Sequence, residues 1–412
     1  MLEPRRTTAS DPNFRGLVAE LDRDLWRRYP TTQQNYLSGN EIAPDAKPVV
    51  AYLDGESIGC ACFRPGPRPA SAELKRMYVR PQWRGGPAAS AILGCIEEWA
   101  RQEGYSSLVL ETGVAQPEAL RFYAKRGFRQ TLKYGDYYGN PQSVCMAKRI
   151  GGSAAGLELG MPTLAELEGL GPNAELCGEL GLDFIELNAN LPAFQPDRVD
   201  RALAGRLRAE GLSLSYHLPE DLDFAQFNAT IREAHLAVLL DAVDLCAELG
   251  IGKLNMHMGP GIHFTLPDSK LMLYDKYQDE YLGNIERGLA LVAPRLESSG
   301  AMLLIENTGI YDRPYLRRAV DLLLSSPYLG LTWDLGHDHS AGRVDGPFIR
   351  ERADRVRHMH LHDARGANNH LPLYSGEIDI EAALAFARER GCSCVLETKT
   401  RRGLASSVES LR

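Results

Sequence analysis

The stretch Gly330-Leu-Thr-Trp-Asp-Leu-Gly-His337 starts as a short apolar run, stops on an acid, and turns through glycine to a histidine three residues later. Such a run reads as a buried strand whose polar groups gather at its C-terminal end. The same grammar recurs on both sides. Met302–Glu306 ends on an acid and is followed by Asn-Thr-Gly309; Leu212–His217 and Lys253–Met258 bring His217 and His257 to or near their ends; Val356–Leu361 contains His360, and Cys394–Glu397 ends on Glu397. With Leu157–Met161 and Phe184–Asn188 these make eight apolar runs, each followed by an amphipathic helical pattern. Strand-then-helix units in that number predict a (β/α)8 barrel with its functional groups at the C-terminal strand ends. An open doubly wound sheet is the alternative. The last helix, placed at Ala405–Leu411, is short, which predicts loose closure.

Six consecutive strands therefore end in His, Asp or Glu. A single histidine of this kind is commonly a satisfied structural residue. A whole set preceded by apolar residues is different, because buried unpaired carboxylates and imidazoles are costly while one divalent cation satisfies several together. Mixed oxygen and nitrogen donors suit Mn²⁺, Mg²⁺, Co²⁺ or Zn²⁺. His337 and His370 follow in the loops after strands six and seven. The run Lys399-Thr-Arg-Arg402 beside Glu397 reads either as a site for a substrate phosphate or carboxylate, or as solvated surface.

Upstream, the small-residue stretch Ile150-Gly-Gly-Ser-Ala-Ala-Gly156 reads as a linker. It separates residues 1–149 from a barrel over 157–412. The first part shows strands at Val49–Leu53, Ile58–Phe63, Glu73–Val79, Ser107–Glu111 and Ser143–Lys148. Helical patterns lie at Ala88–Glu103 and Pro117–Lys125, giving an α+β domain. Glu73 to Ala88 passes from strand through a glycine turn, Gln82-Trp-Arg-Gly-Gly-Pro87, into a helix. Such a turn offers amide N–H groups and a positive helix end to a pyrophosphate. Further on comes Gln116-Pro-Glu-Ala-Leu-Arg-Phe-Tyr-Ala-Lys-Arg-Gly-Phe128.

Together these two motifs resemble the GNAT family of acyl-CoA-dependent N-acyltransferases. The resemblance implies acetyl-CoA as cofactor, held by Met77, Val79, Arg84, Gly85, Gly86 and Ala88. It implies Tyr123 as the acid for the departing thiolate and Glu73 as a base for the acceptor amine. Pro87, where the family has Gly or Ala, removes an amide donor, and Gln116 stands where Asn is more usual. The second part resembles the xylose isomerase-like barrel superfamily, which includes sugar isomerases and epimerases, some dehydratases and endonuclease IV. In the epimerase branch that resemblance implies one metal on Glu306, Asp334, His360 and Glu397, with Glu306 and Glu397 either as the acid–base pair or as ligands alone. The nuclease branch would add His217, His257, His337 and His370, as second-metal or substrate residues. Asn368 stands where that branch has Asp.

Charge bears on the choice. Residues 151–412 contain 38 acidic and 25 basic side chains, a net −13, while residues 1–150 hold 16 and 21, a net +5. An acidic barrel without Arg/Lys clusters among aromatics argues against phosphate-backbone binding. The expected partners are small molecules, not nucleic acid or a membrane, with a homo-oligomer left open. No apolar run approaches the roughly 20 residues of a membrane span, and Met-Leu-Glu-Pro-Arg-Arg does not read as a signal peptide. Eight scattered cysteines read as reduced, buried thiols of a cytoplasmic protein. The combined expectation is a bifunctional enzyme whose two domains share one small metabolite.

Overall fold

Alternating apolar residues on both sides of short turns produce, in residues Met1–Gly156 with Arg412, a seven-stranded sheet. Its strands are β1 (Leu2–Arg6), β2 (Lys47–Leu53), β3 (Glu56–Pro65), β4 (Ser71–Val79), β5 (Ser107–Gly113), β6 (Arg129–Gln130) and β7 (Ser143–Arg149), in the order β1-β2-β3-β4-β5-β7-β6. The computed structural model describes residues 1–28 and 42–412. Among the described residues, helices α1 (Pro12–Arg28), α2 (Ala88–Gln102) and α3 (Pro117–Lys125) accompany this sheet. One apolar cluster joins Ile92, Leu93 and Ile96 of α2 to Val49, Phe63 and Leu108 of the sheet, and a second joins Phe14 and Leu17 of α1 to Val50 and Cys60. Strands β1 and β6 were not apparent in the sequence, since Leu2-Glu-Pro-Arg-Arg6 lacks apolar alternation and β6 has two exposed residues.

Two features of β4 shape this unit. Between Cys60 and Cys62 its pairing with β3 slips by one residue, and Arg76 takes a left-handed φ of 59° there. That is a β-bulge, which bends and twists the strand. On its other side β4 pairs in parallel with β5 only from Ser71 to Glu73. Beyond Glu73 and Val109 the strands diverge, and the sheet opens into a wedge.

Residues Leu157–Leu411 form the second unit. Its strands are β8 (Glu158–Pro162), β9 (Phe184–Asn188), β10 (Ser213–His217), β11 (Lys253–His257), β14 (Met302–Glu306), β15 (Leu329–Asp334), β16 (Val356–Leu361) and β19 (Ser393–Leu396), all parallel and closed into a barrel. The hairpins β12–β13 (His263–Thr265, Lys270–Met272) and β17–β18 (Asp363–Arg365, Asn368–Leu371) rise from the loops after β11 and β16. The surrounding helices are α4 (Leu170–Leu180), α5 (Arg201–Ala209), α6 (Ala229–Leu249), α7 (Leu273–Lys276), α8 (Gln278–Ser299), α9 (Pro314–Leu323), α10 (Leu335–Ser340), α11 (Gly346–Arg350), α12 (Ile380–Arg390) and α13 (Arg401–Ser410).

Closure is complete where the sequence predicted looseness: β19 pairs with β16 and with β8. The last helix starts four residues earlier than expected. Thr400 caps it, its hydroxyl accepting the Gly403 N–H at 3.1 Å, and Arg401-Arg402-Gly403 conceals the start because it has no apolar periodicity. All eight cysteines are free thiols, seven of them buried.

Gly160 on β8 lies under the Phe184 ring of its neighbour, where an added Cβ would come within 2.5 Å of ring carbons. Overpacking of this kind costs about 1–3 kcal/mol. Gly160→Val is therefore expected to lower the urea midpoint of the barrel transition, and an unchanged midpoint would contradict this packing.

Candidate functional site

At the C-terminal mouth of the barrel, Glu306, Asp334, His360 and Glu397 each bring one potential ligand atom within 4.8 Å of all the others. Glu306, Asp334 and His360 are wholly buried and Glu397 nearly so. The His360 Nδ1 stands 3.3 Å from Glu306 Oε2, 3.4 Å from Glu397 Oε2 and 3.8 Å from Asp334 Oδ2. Its Nε2 meets Glu186 Oε1 at 3.0 Å. His217 and His257 adjoin Glu306 as a second cluster, and His337, His362 and His370 form a third.

Local structure fixes these side chains. Asn307, the residue after Glu306, locks two strand ends together: its Nδ2 donates to the Asp334 carbonyl at 2.9 Å, and its Oδ1 accepts the Asp334 N–H at 2.7 Å. Asp334 Oδ1 in turn caps α10 by accepting the His337 N–H at 2.6 Å. Asn255 donates to Glu306 Oε2. His362 Nδ1 accepts the main-chain N–H of His370 at 2.8 Å, so its proton sits on Nε2, which donates to both Asp334 oxygens at 3.1 Å. The His362 ring can lie there because position 336 is glycine; a Cβ would fall 1.9 Å from it. Lys399 Nζ holds Glu397 Oε1 at 2.9 Å, which assigns the first residue of the basic run to the site.

The electrostatics fit a cation. Burial alone would lower the His360 pKa, but Glu306, Glu186 and Glu397 hold it well above the ordinary imidazole value. His337, similarly disfavoured by burial, is raised to about 9 by Asp334 and Glu306. Burial would raise the Glu306 carboxyl, yet His360 and His257 hold it far below the usual range. His217 Nδ1 must donate to the Leu218 carbonyl at 2.7 Å, which leaves its Nε2 lone pair facing Glu306 Oε2 at 3.5 Å. Lone pair against carboxylate is repulsive unless a proton or a metal lies between. Glu306 Oε1, Glu397 Oε2 and the His360 Nδ1 that faces them are buried without a satisfactory hydrogen bond. These donors fit a divalent ion.

Sequence reasoning missed Glu186, His358 and the role of His362. Asn368 lies exposed on β18.

In the first unit, a cavity of ≈320 Å³ occupies the β4/β5 wedge, lined by Met77 and Val79, by Arg84, Gly85 and Gly86, and by Gln116 and Tyr123. Gly85 turns with φ 79°, and α2 begins at buried Ala88 with no side-chain cap, leaving first-turn N–H groups to a ligand. Arg84 donates to the Val79 carbonyl at 2.9 Å and to Asp24 at 3.0 Å. Burial pushes the Tyr123 hydroxyl up. Glu73 lies before the divergence, gripped by Arg64 through two contacts of 2.8 Å, and does not line the cavity. Glu111 does, and burial raises its carboxyl.

Comparison with known proteins agrees with both units. The model of the "xylose isomerase-like TIM barrel" matches residues 174–412 and that of the "acetyltransferase (GNAT) family" residues 14–128. The chain belongs to the xylose isomerase-like TIM barrel family, preceded by a GNAT acetyltransferase domain. An IAA acetyltransferase of Azospirillum brasilense is 38% identical over 135 residues, 32% of this chain and 88% of that protein. An uncharacterized protein of Methanocaldococcus jannaschii is 27% identical over 210 residues, 48% of this chain and 68% of its own length. The crystal structure of a D-tagatose 3-epimerase-like protein shares the barrel fold at 22% identity and a TM-score of 0.52, covering 61% of this chain and 95% of that one. No described helix is long and apolar enough to cross a membrane.

The carboxylates that raise His360 and His337 are the groups a cation would take over, so loading is expected to displace the proton on His360 Nδ1 and to loosen that on His337. Calorimetric titration with Co²⁺ in two buffers of different ionisation heat is expected to show on the order of one to two protons released per cation, with affinity falling as pH falls. Proton-neutral, pH-independent binding would contradict this arrangement.

Proposed function

We propose that the barrel is a divalent-metal enzyme moving protons on a sugar-like or hydroxy/keto acid substrate, as an isomerase or epimerase, and that the N-terminal domain transfers an acyl group from acetyl-CoA to an amine. The observation behind the barrel reading is the convergence of three buried carboxylates and His360 within 4.8 Å. Glu306, Asp334, His360 and Glu397 would hold the ion, which when bound supplies Lewis acidity to a carbonyl and its neighbouring C–H.

Glu306 ends β14 and Glu397 follows β19, so the two carboxylates belong to strands separated in the barrel order by β15 and β16. One accepts the substrate proton and the other returns one to the opposite face. Lys399 on Glu397 Oε1 leaves Oε2 to face the centre. His217, His257, His337 and His370 would hydrogen-bond substrate hydroxyls.

In the acyltransferase domain, the bulged, half-unpaired β4 would offer main-chain groups to acetyl-CoA, and the Gly85–Gly86 turn would hold its pyrophosphate. The amine nitrogen attacks the thioester carbon as the C–S bond breaks. Tyr123, kept protonated by burial, donates to the departing sulfur, and a carboxylate takes the amine proton. Glu111 is better placed for that than Glu73, which the family resemblance implied, because Glu111 lines the cavity and Glu73 is held by Arg64. Covalent linkage of the domains motivates a shared, amine-bearing polyhydroxylated metabolite; separated domains acting on chemically unrelated substrates would end that idea.

A second reading draws on the two flanking histidine clusters, which together offer room for more than one cation, as phosphodiester hydrolysis commonly uses. The net −13 of residues 151–412 and the exposed Asn368 favour small-molecule chemistry instead.

Two outcomes check the proposal. Incubated in ²H₂O with a ketose or hydroxy/keto acid substrate and Mn²⁺ or Co²⁺, the protein is expected to exchange a substrate C–H, and Glu306→Gln or Glu397→Gln to slow this by roughly 10²–10⁴. Nicking of abasic duplex without any such exchange would favour the nuclease. For acyl transfer, Tyr123→Phe and Glu111→Gln are each expected to lower kcat roughly 10²-fold or more with acetyl-CoA binding retained, while Glu73→Gln affects it less. The reverse ranking of the two glutamates would return the base to Glu73.

A further inference from the structure

Most (β/α)8 barrels fill their interior with layers of branched apolar residues. Here a file of polar groups runs down from the carboxylate cluster. His360 Nε2 lies 3.0 Å from Glu186 Oε1, and Glu186 Oε2 lies 3.3 Å from His358 Nε2. His358 Nδ1 meets Ser393 Oγ at 2.6 Å, and Lys253 Nζ donates to the same hydroxyl. Ser215 Oγ reaches Glu186 Oε2 at 3.4 Å. Glu186, His358 and His360 are all at most 2% exposed. A buried carboxylate needs such partners to remain charged, and the two imidazoles hold its pKa well below the usual range against the opposing effect of burial.

We propose that Glu186, in the middle of β9, is the positioning residue of the metal centre: it accepts the Nε2 proton of His360 and so turns the Nδ1 lone pair toward Glu306, Asp334 and Glu397. The inference rests on the reading of those four residues as a cation site. With Nε2–H committed to a carboxylate, His360 has one tautomer and one ring orientation, and the negative charge behind it makes Nδ1 a stronger donor. Carboxylate partners of ligating histidines act in this way, and their loss typically costs 10–100-fold in metal affinity. His358 serves as the second support, keeping Glu186 from swinging away, with its own ring tied to Ser393.

The test uses the full chain stripped of metal with a chelator and titrated with Co²⁺, read by its visible absorption, its affinity and the number of cations bound. Glu186→Gln keeps an acceptor for Nε2–H but removes the charge; it is expected to weaken Co²⁺ roughly tenfold. Glu186→Leu removes both and is expected to weaken Co²⁺ about 100-fold and to change the absorption bands. If the leucine variant does not fold, the glutamine variant, whose metal-free melting temperature is measured alongside, decides. A lowered melting temperature with unchanged Co²⁺ affinity and spectrum would make Glu186 merely structural and overturn the inference. Loss of a second cation equivalent, with the first unchanged, would put metal on Glu186 itself and also overturn it. Wild-type protein that takes up no Co²⁺ would remove the cation site and the role of Glu186 with it, an outcome distinct from the other two.

Discussion

Three carboxylates crowd around one imidazole nitrogen at the mouth of the barrel, and that crowding constrains everything near it. Like charges about 4 Å apart oppose one another by on the order of 4 kcal/mol at an effective dielectric constant of about 20. Burial removes the water that would screen them. Protons on His360 and His337 offset part of this, which is the origin of their raised pKa values. A divalent cation would offset more. Fold and chemistry meet here, because a barrel built only for stability would have no cause to gather Glu306, Asp334 and Glu397 within 4.8 Å of one another's ligand atoms.

The surroundings are arranged to hold the crowd still. Asn307 ties the end of β14 to β15 through paired bonds from its side-chain amide to the Asp334 main chain, and Gly336 makes space for His362, whose tautomer is set by the His370 amide. His370 itself adopts φ 55°, a left-handed conformation that is costly for a residue with a Cβ. The acyltransferase unit solves a different problem with the same economy. Its sheet is pried open by a bulge at Arg76 and by the early end of β4–β5 pairing, so backbone that would otherwise bond to its neighbour is left for a ligand.

Much of this was legible in the sequence because it depends on local periodicity. Phe184–Asn188, Met302–Glu306 and Val356–Leu361 fall at the expected bounds, and an acid or histidine closing an apolar run marks a strand end without knowledge of the fold. What stayed hidden depends on distant pairing. Glu186 interrupts Phe-Ile-Glu-Leu-Asn as an outward-facing polar residue would, and only closure of the barrel puts it beneath His360. The proton on His362 is decided by a main-chain amide eight residues away. The divergence of β4 from β5, which exposes Glu111 to the cavity and leaves Glu73 under Arg64, has no signature in either strand alone. The start of α13 was obscured by charged residues and a glycine, although its cap, Thr400, stood in view.

We propose that the buried carboxylates and His360 form a cation site. Anomalous diffraction at the absorption edge of Zn²⁺ or Co²⁺, from crystals grown with that ion, tests it most directly. The account predicts a peak bonded to Glu306, Asp334, Glu397 and the Nδ1 of His360. A structure with those four side chains in place and the ion bound only at other residues would contradict it.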